Sequence, residues 1–377
     1  MYSSTRDETR EIEALLGQLT EQAGSRPPTS PGEATAAAFV NGRLRRAGMG
    51  VATYELRVAP RPGGAYWLFG ALGCLAAALS PLFPLPSLLL ALNLLAWVTI
   101  DSFGAPIPPV GGRRASQNIV GTRAVAGAAG LQPTPPRWRV VLIAPLDTPQ
   151  QRRGLAALAG PGRGAAAARL GAALLVTASA ATALLLPGPW WLAAMPGAAL
   201  CLLVAVAALL PAAPAPADGG VAALAAMVAA AQRVEQLERV ELWAVAVGAA
   251  GSDPRGVTTL LPRYPFDRER TLFLAIEGLA GGQLAYATRE GPGGAADELL
   301  LALAADADAA DPQIDAEPRA LATSGRLAAP LRRHGYRALS IVARPAPAAA
   351  AASPDARLVE RAARLLVGIV LRLEAQA

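Results

Sequence analysis

The chain has 377 residues, 53% of them hydrophobic, and a net charge of +6. That is enough chain for one large domain or two small ones, and too apolar a composition for an ordinary soluble domain. The basic residues are arginines spread along the sequence, with no lysine and a single histidine, His334. A nucleic-acid surface would cluster its charge with aromatic residues, so no nucleic-acid partner is expected. The two cysteines, Cys74 and Cys201, lie in apolar blocks; this count gives neither a disulfide framework nor a zinc–thiolate site.

The N-terminal stretch is polar, without a signal-peptide core, so membrane insertion is expected from internal segments. Ile12, Leu15, Leu16 and Leu19 fall at helical spacing within residues 9–23. The turn-rich connector Gly24–Glu33 follows. Ser30, with Pro31 next and Glu33 third, reads as the start of a second helix that runs to about Ala47 and stops at Gly48 or Gly50. Val51–Val58 alternates as a strand.

Ala65–Ile100 contains no charged residue. At about 36 residues it is long enough for two short spans of about 17 each, with Ser80–Pro86 as the turn and Trp67 and Trp97 near the outer ends, where interfacial aromatics belong. A buried helical hairpin in a globular core is the plainer alternative. Ala115–Gly121 reads as a second strand. Val140–Ile143, four apolar residues in a row, reads as a buried central strand ending at Pro145, Leu146 and Asp147. In an open α/β sheet, chemistry sits where such a strand ends.

Leu170–Ala217 is uncharged again, with Pro187-Gly188-Pro189 as its turn and Trp190 and Trp191 beside it. Both turns lack charge, while the flanking segments are rich in Arg. The positive-inside rule then predicts four spans with the polar bulk cytoplasmic. The remainder alternates: helix at Val221–Val234, strands at Val240–Val247, Leu272–Ile276 and Leu284–Thr288, helices at Ala295–Ala305 and Pro318–His334, a strand at Ala338–Val342, a low-complexity loop at Pro345–Ala352, and a closing amphipathic helix at Asp355–Glu374. This order predicts an α/β domain with a mixed β-sheet covered by helices on both faces, made of residues 1–64, 101–169 and 215–377. Two transmembrane hairpins, 65–100 and 170–214, interrupt it. An antiparallel run of the first three strands would point strands one and three the same way, so both insertions would leave from one edge of the sheet.

The polar segments resemble, in order, those of the M28 family of zinc peptidases, the aminopeptidase-like exopeptidases. Gly24–Glu33 looks like the family's entry segment and Ser116–Val120 like its second strand. Val140–Asp147 looks like the strand ending in His-x-Asp, and Asp218–Leu224 like the loop with an Asp opening a helix. Glu241–Gly251 looks like the strand ending in Glu-Glu, and Leu274–Leu279 like the strand ending in an Asp ligand.

The resemblance implies two zinc ions held by His and carboxylates, one carboxylate bridging, with a separate Glu as general base. The first His ligand position is Pro145, which cannot bind metal. Asp147 is the residue that would orient that His, and Asp218 is the bridging position. The Glu-Glu pair falls on Ala250, the general-base position, and Gly251, a ligand position; Asp253 lies two or three residues further on. Glu277 stands at the later Asp ligand. The last His belongs near Ala350–Ser353, where there is none. His334 reads as an exposed helix end.

Asp147, Asp218 and Glu277 without an imidazole make a poor zinc site, although oxygen ligands alone suit Mg²⁺ or Ca²⁺. Capping helices and holding loops is the plainer role, with Asp218 before Gly219 as an N-cap. No cofactor is therefore expected, zinc being the metal of the family. The leading reading is a membrane-anchored, M28-like protein without peptidase activity, a binding or scaffolding module whose partners are the lipid bilayer and an unidentified peptide or protein. An active exopeptidase with non-standard ligands is the alternative. A transport element with a regulatory α/β domain is a third, against which the spans lack ionisable side chains.

Overall fold

The run Val140–Ile143 is wholly buried, because its strand has neighbours on both edges and helices on both faces. The computed structural model describes residues 5–59, 63–102, 112–126, 135–148, 150–160, 162–186, 188–214, 219–251, 255–279, 281–291, 294–322, 325–344 and 355–377. They divide into two units: an α/β unit of residues 1–60, 114–149 and 214–377, and a helical unit of residues 61–113 and 150–213.

In chain order the elements are α1 (Thr5–Ala23), α2 (Pro31–Arg46), β1 (Gly50–Val58), α3 (Tyr66–Leu79), α4 (Pro84–Ser102), β2 (Arg114–Arg123), β3 (Trp138–Pro145), β4 (Gln150–Gln151), α5 (Arg163–Leu185), α6 (Ala194–Leu209), β5 (Ala213–Pro214) and α7 (Gly219–Arg233). There follow β6 (Val240–Val247), α8 (Arg255–Thr258), α9 (Leu260–Arg263), β7 (Thr271–Ile276), β8 (Gln283–Glu290), β9 (Gly294–Ala295), α10 (Glu298–Ala310), β10 (Glu317–Leu321), α11 (Ala328–Arg333), β11 (Arg337–Arg344) and α12 (Ala356–Gln376).

The main sheet is mixed, in the order β1-β2-β6-β3-β7-β11-β8-β10, with β9 paired to β8. The expected antiparallel run of the first three strands is corrected. β6 lies between β2 and β3, antiparallel to β2 and parallel to β3. β1 and β3 nevertheless point the same way, because two antiparallel steps and one parallel step separate them. A second correction falls at Pro318–Leu321, expected as helix. Glu317–Leu321 adds parallel to β8 as an edge strand, a place that tolerates a proline without a ladder donor.

Alternate residues of each strand feed two cores. One face meets Leu19, Val40, Leu224, Leu303 and Leu366 from the long helices α1, α2, α7, α10 and α12. The other carries Tyr54, Trp243, Phe266 and Phe273 beneath the short helices α8, α9 and α11. Two paired ends tie down α12. Glu374 accepts the backbone N–H groups of Glu238, Arg239 and Val240, and Glu360 pairs with Arg233 of α7 at 2.6 Å.

Among the described residues, three helices are long and apolar enough to cross a membrane, within Pro84–Asp101, Arg163–Leu185 and Trp190–Leu209. The remaining expected span is shorter, since α3 has 14 residues before the turn at Ser80–Phe83. The third span also begins earlier than expected, at Arg163 rather than Leu170. Its Arg169 can enter the helical unit because its charge is met there. The guanidinium lies 3.6 Å from Asp101, 4.0 Å above the Tyr66 ring, and donates to the carbonyls of Leu158 and Gly160. Tyr66 Oη donates to Asp101, and Arg152 donates to the carbonyls of Ala207 and Leu210 at the end of α6.

The α3–α6 seam is close-packed through small residues. A Cβ on Gly70 would stand 2.3 Å from the Cys201 carbonyl oxygen, and one on Gly73 would stand 2.3 Å from Cys201 Sγ. Gly70→Leu is expected to force these helices apart and to destabilise the helical unit by roughly 1–3 kcal/mol, read as a lower denaturation midpoint in micelles by circular dichroism.

Candidate functional site

β3, β6 and β7 run parallel, and their carboxyl ends come together: Pro145 is registered with Val247, and Ile143 with Ala275. The loops beyond carry Asp147, Ala249–Gly251 and Glu277. The entry segment holds the first of them. Arg26 is fully buried. Its Nε donates to the Leu146 carbonyl (2.9 Å), its backbone N–H to Thr148 Oγ1 (3.0 Å), and Thr148 N–H returns a bond to the Arg26 carbonyl (2.7 Å).

Asp147 is buried. One carboxylate oxygen accepts the Gly251 backbone N–H at 3.0 Å, while the other, Oδ1, has no hydrogen-bond partner among the described residues. Burial pushes its pKa up to about 7, helped by the nearby Glu33 charge and opposed by the Gly251 N–H and the Arg326 charge. The residue that would orient a metal-binding imidazole at Pro145 therefore ties down the loop at Gly251 instead.

Glu33 is the residue that sequence reasoning placed only as a helix start. Ser30 does cap α2, its Oγ accepting Glu33 N–H at 3.3 Å. The Glu33 carboxylate reaches further. It accepts the Thr29 N–H, the Ser116 hydroxyl at 2.9 Å and the Ala249 N–H at 2.8 Å. Burial raises its pKa against those three bonds. Ala249 has φ 53°, a left-handed conformation uncommon for a residue with a Cβ, and its N–H is thereby presented to Glu33. Beside it, Asn118 accepts the Gly248 N–H at 2.9 Å and donates to the Tyr54 hydroxyl and the Gly256 carbonyl. No signal in the sequence reveals this network, since its partners are far apart in the chain.

Glu277 holds the start of α11. Its two carboxylate oxygens accept the N–H groups of Leu327 (2.9 Å) and Arg326 (2.8 Å). Burial raises its pKa; those N–H groups oppose the rise, Glu290 adds to it, and Arg326 offsets part of it. Arg326 thus acts electrostatically on both Asp147 and Glu277. Glu290 is buried and bound by Arg332 at 2.6 Å and by Gly325 N–H at 2.6 Å. Burial raises its pKa, but Arg332, Ser340 and Gly325 together hold it below the usual carboxylate range.

The structure thus brings Asp147 together with Gly251 and places Ala250 beside them, with Glu277 joined to the group through Arg326. His334 is not among them: it caps the end of α11, exposed, with Nδ1 2.8 Å from the Pro330 carbonyl. Asp218, Asp253 and the Ala350–Ser353 segment lie outside the described residues. Among the described residues, no group of three or more His, Cys, Asp or Glu side chains is placed to hold a metal ion. Two clefts, about 640 Å³ between α1 and α2 and about 580 Å³ beside α11, are lined by neither Asp147 nor Gly251.

No family model matches the sequence, and no curated protein matches it. Solved structures do. A zinc aminopeptidase from Bacillus subtilis superposes with a TM-score of 0.55 at 11% identity, over 97% of this chain and 95% of that one. A glutaminyl cyclase from an Acidobacteriales bacterium gives 0.52 at 12% identity, over 100% and 98%. An aminopeptidase from Aneurinibacillus sp. strain AM-1 gives 0.51 at 12% identity, over 96% and 93%.

The fold is M28-like. The large mixed sheet with helices on both faces is the expected architecture, and at these identities the likeness speaks for the fold alone. Among the described residues the donors do not fit zinc: Pro145 offers no side-chain ligand atom, and both Glu277 oxygens accept backbone N–H groups.

A raised carboxyl pKa weakens the fold as pH rises. The unfolded chain releases the Asp147 proton near the ordinary value of 3.8, whereas the folded protein holds it to about 7. Unfolding free energy is thus expected to fall between those pH values and then level off. Urea titrations across that range should show a shallower fall in Asp147→Asn; Glu33 and Glu277, shifted in the same direction, supply the remainder. A second expectation concerns Gly325, where a Cβ would stand 2.6 Å from Glu277 Oε1, 2.9 Å from Ser340 Oγ and 3.0 Å from Glu290 Oε2. Gly325→Ala should cost roughly 1–3 kcal/mol in the same titrations by pushing the carboxylates off their donors.

Proposed function

We propose that this chain is a membrane-anchored protein of M28-like fold that has exchanged peptidase chemistry for a binding or scaffolding role. The observation that carries it is the bonding of Asp147 and Glu277, the two retained carboxylates among the described residues. A zinc-binding carboxylate must present its lone pairs to the metal. Glu277, at a ligand position, presents both of its oxygens to the N–H groups of Arg326 and Leu327. Asp147, at the position that would orient an imidazole, is bonded to the Gly251 N–H instead. The general-base position is Ala250, and the only imidazole in the sequence caps α11.

The helical unit supports the membrane part. Among the described residues, every exposed large hydrophobic side chain except Leu371 belongs to it. Exposed apolar side chains in such number mark an interaction surface, and a bilayer is the one that fits helices of this length. The small-residue contact of α3 with α6 is a packing mode common between helices in lipid. Four helices in two hairpins, with the α/β unit cytoplasmic, is the topology in keeping with the distribution of Arg. Its partners are then the bilayer and a peptide or protein met at the α/β unit.

The purified full chain is expected to carry no stoichiometric zinc and to release no chromophore from aminoacyl chromogenic substrates. Stoichiometric zinc, with turnover abolished by Asp218→Ala, would overturn this reading in favour of an active exopeptidase. Membranes from expressing cells should retain the chain through a carbonate wash; its release would remove the membrane part.

A further inference from the structure

The helical unit is charged at one end only. Tyr66, Asp101 and Arg169 mark one level of the bundle, with Arg152 on the last carbonyls of α6. Beyond that level, residues 67–100, 170–186 and 188–210 contain no Asp, Glu, Arg or His. The turns at the far end are apolar and exposed: Leu82 is 77% accessible, Leu185 76% and Trp190 46%.

The depth of this uncharged part follows from the helix rise. At 1.5 Å per residue, Asp101 to Pro84 along α4 is about 26 Å, and Arg169 to Leu185 along α5 is about 24 Å. α3 itself is shorter, about 20 Å from Tyr66 to Leu79, before its turn at Ser80–Phe83. α4 and α5 agree on the longer reach. A typical hydrocarbon core is about 30 Å thick. Tilting would shorten the reach further.

The geometry points to a thin bilayer as the partner of this surface, one with a hydrocarbon core of about 25 Å, the distance from the charged layer to the apolar turns. This rests on the membrane reading above. In a thicker bilayer one end must give way. Either the turns stay below the far headgroups and Trp190 and Trp191 lose the interface that indole rings favour, or the Asp101–Arg169 layer is drawn among acyl chains. In a thin bilayer both ends are met at once.

The test is reconstitution of the full chain, in parallel, into vesicles of dimyristoleoyl and of dieicosenoyl phosphatidylcholine, followed by flotation. Recovery is expected to be several-fold higher with the shorter lipid. Equal recovery, or higher recovery with the longer lipid, would overturn the thickness match and leave the membrane reading standing. Failure to float with either lipid would overturn both.

Discussion

A buried carboxylate has to be met by donors or by positive charge, and that requirement shapes the carboxyl edge of this sheet. Glu33, Asp147, Glu277 and Glu290 all turn inward there or nearby. Each is met from within the chain, by N–H groups of Thr29, Ala249, Gly251, Gly325, Arg326 and Leu327 and by the Arg332 guanidinium. Loop positions follow from these bonds. The left-handed Ala249, the closely packed Gly325 and the start of α11 are each set by the carboxylate they face. In a zinc enzyme the metal takes that electrostatic role. For these four carboxylates the backbone and Arg332 take it. Asp147 is the least well met, with one oxygen unpartnered among the described residues, and it is the carboxyl whose pKa rises to about 7. The same requirement acts in the helical unit, where Arg169 lies inside an apolar bundle only because Asp101, Tyr66 and two carbonyls receive it.

Much of the architecture is legible in the sequence because it is local. The spacing of Ile12, Leu15, Leu16 and Leu19 predicts a buried helical face, and all four are buried in α1. The continuous run at Val140–Ile143 predicts a central strand, which β3 is. Ser30, Pro31 and Glu33 predict the start of α2. What escapes is long-range. Nothing in the residues near β2 says that β6, more than a hundred residues later, will lie beside it. Pro318 reads as a helix position until the edge of β8 is available to it. At the site, the sequence shows which residue types stand at the positions the resemblance implies. It does not show that Glu33 reaches across to Ala249, or that Arg26 clamps the Asp147 loop, since both contacts join segments more than a hundred residues apart. Asp218, on which the bridging role rests by resemblance, lies outside the described residues.

The points where the chain leaves and rejoins the sheet have an evolutionary consequence. Val58, the last residue of β1, is registered with Arg114, the first of β2, although residues 59–113 separate them. Gln150–Gln151 likewise pairs with Ala213–Pro214 across the second excursion. Each excursion begins and ends at adjacent points, the second through a small ribbon separate from the main sheet, so the β1–β2 pairing closes whether or not residues 59–113 exist. A two-residue turn would join β1 to β2 as an ordinary hairpin. The first helical segment is in this sense a cassette: its gain, loss or exchange need not ask the sheet to refold.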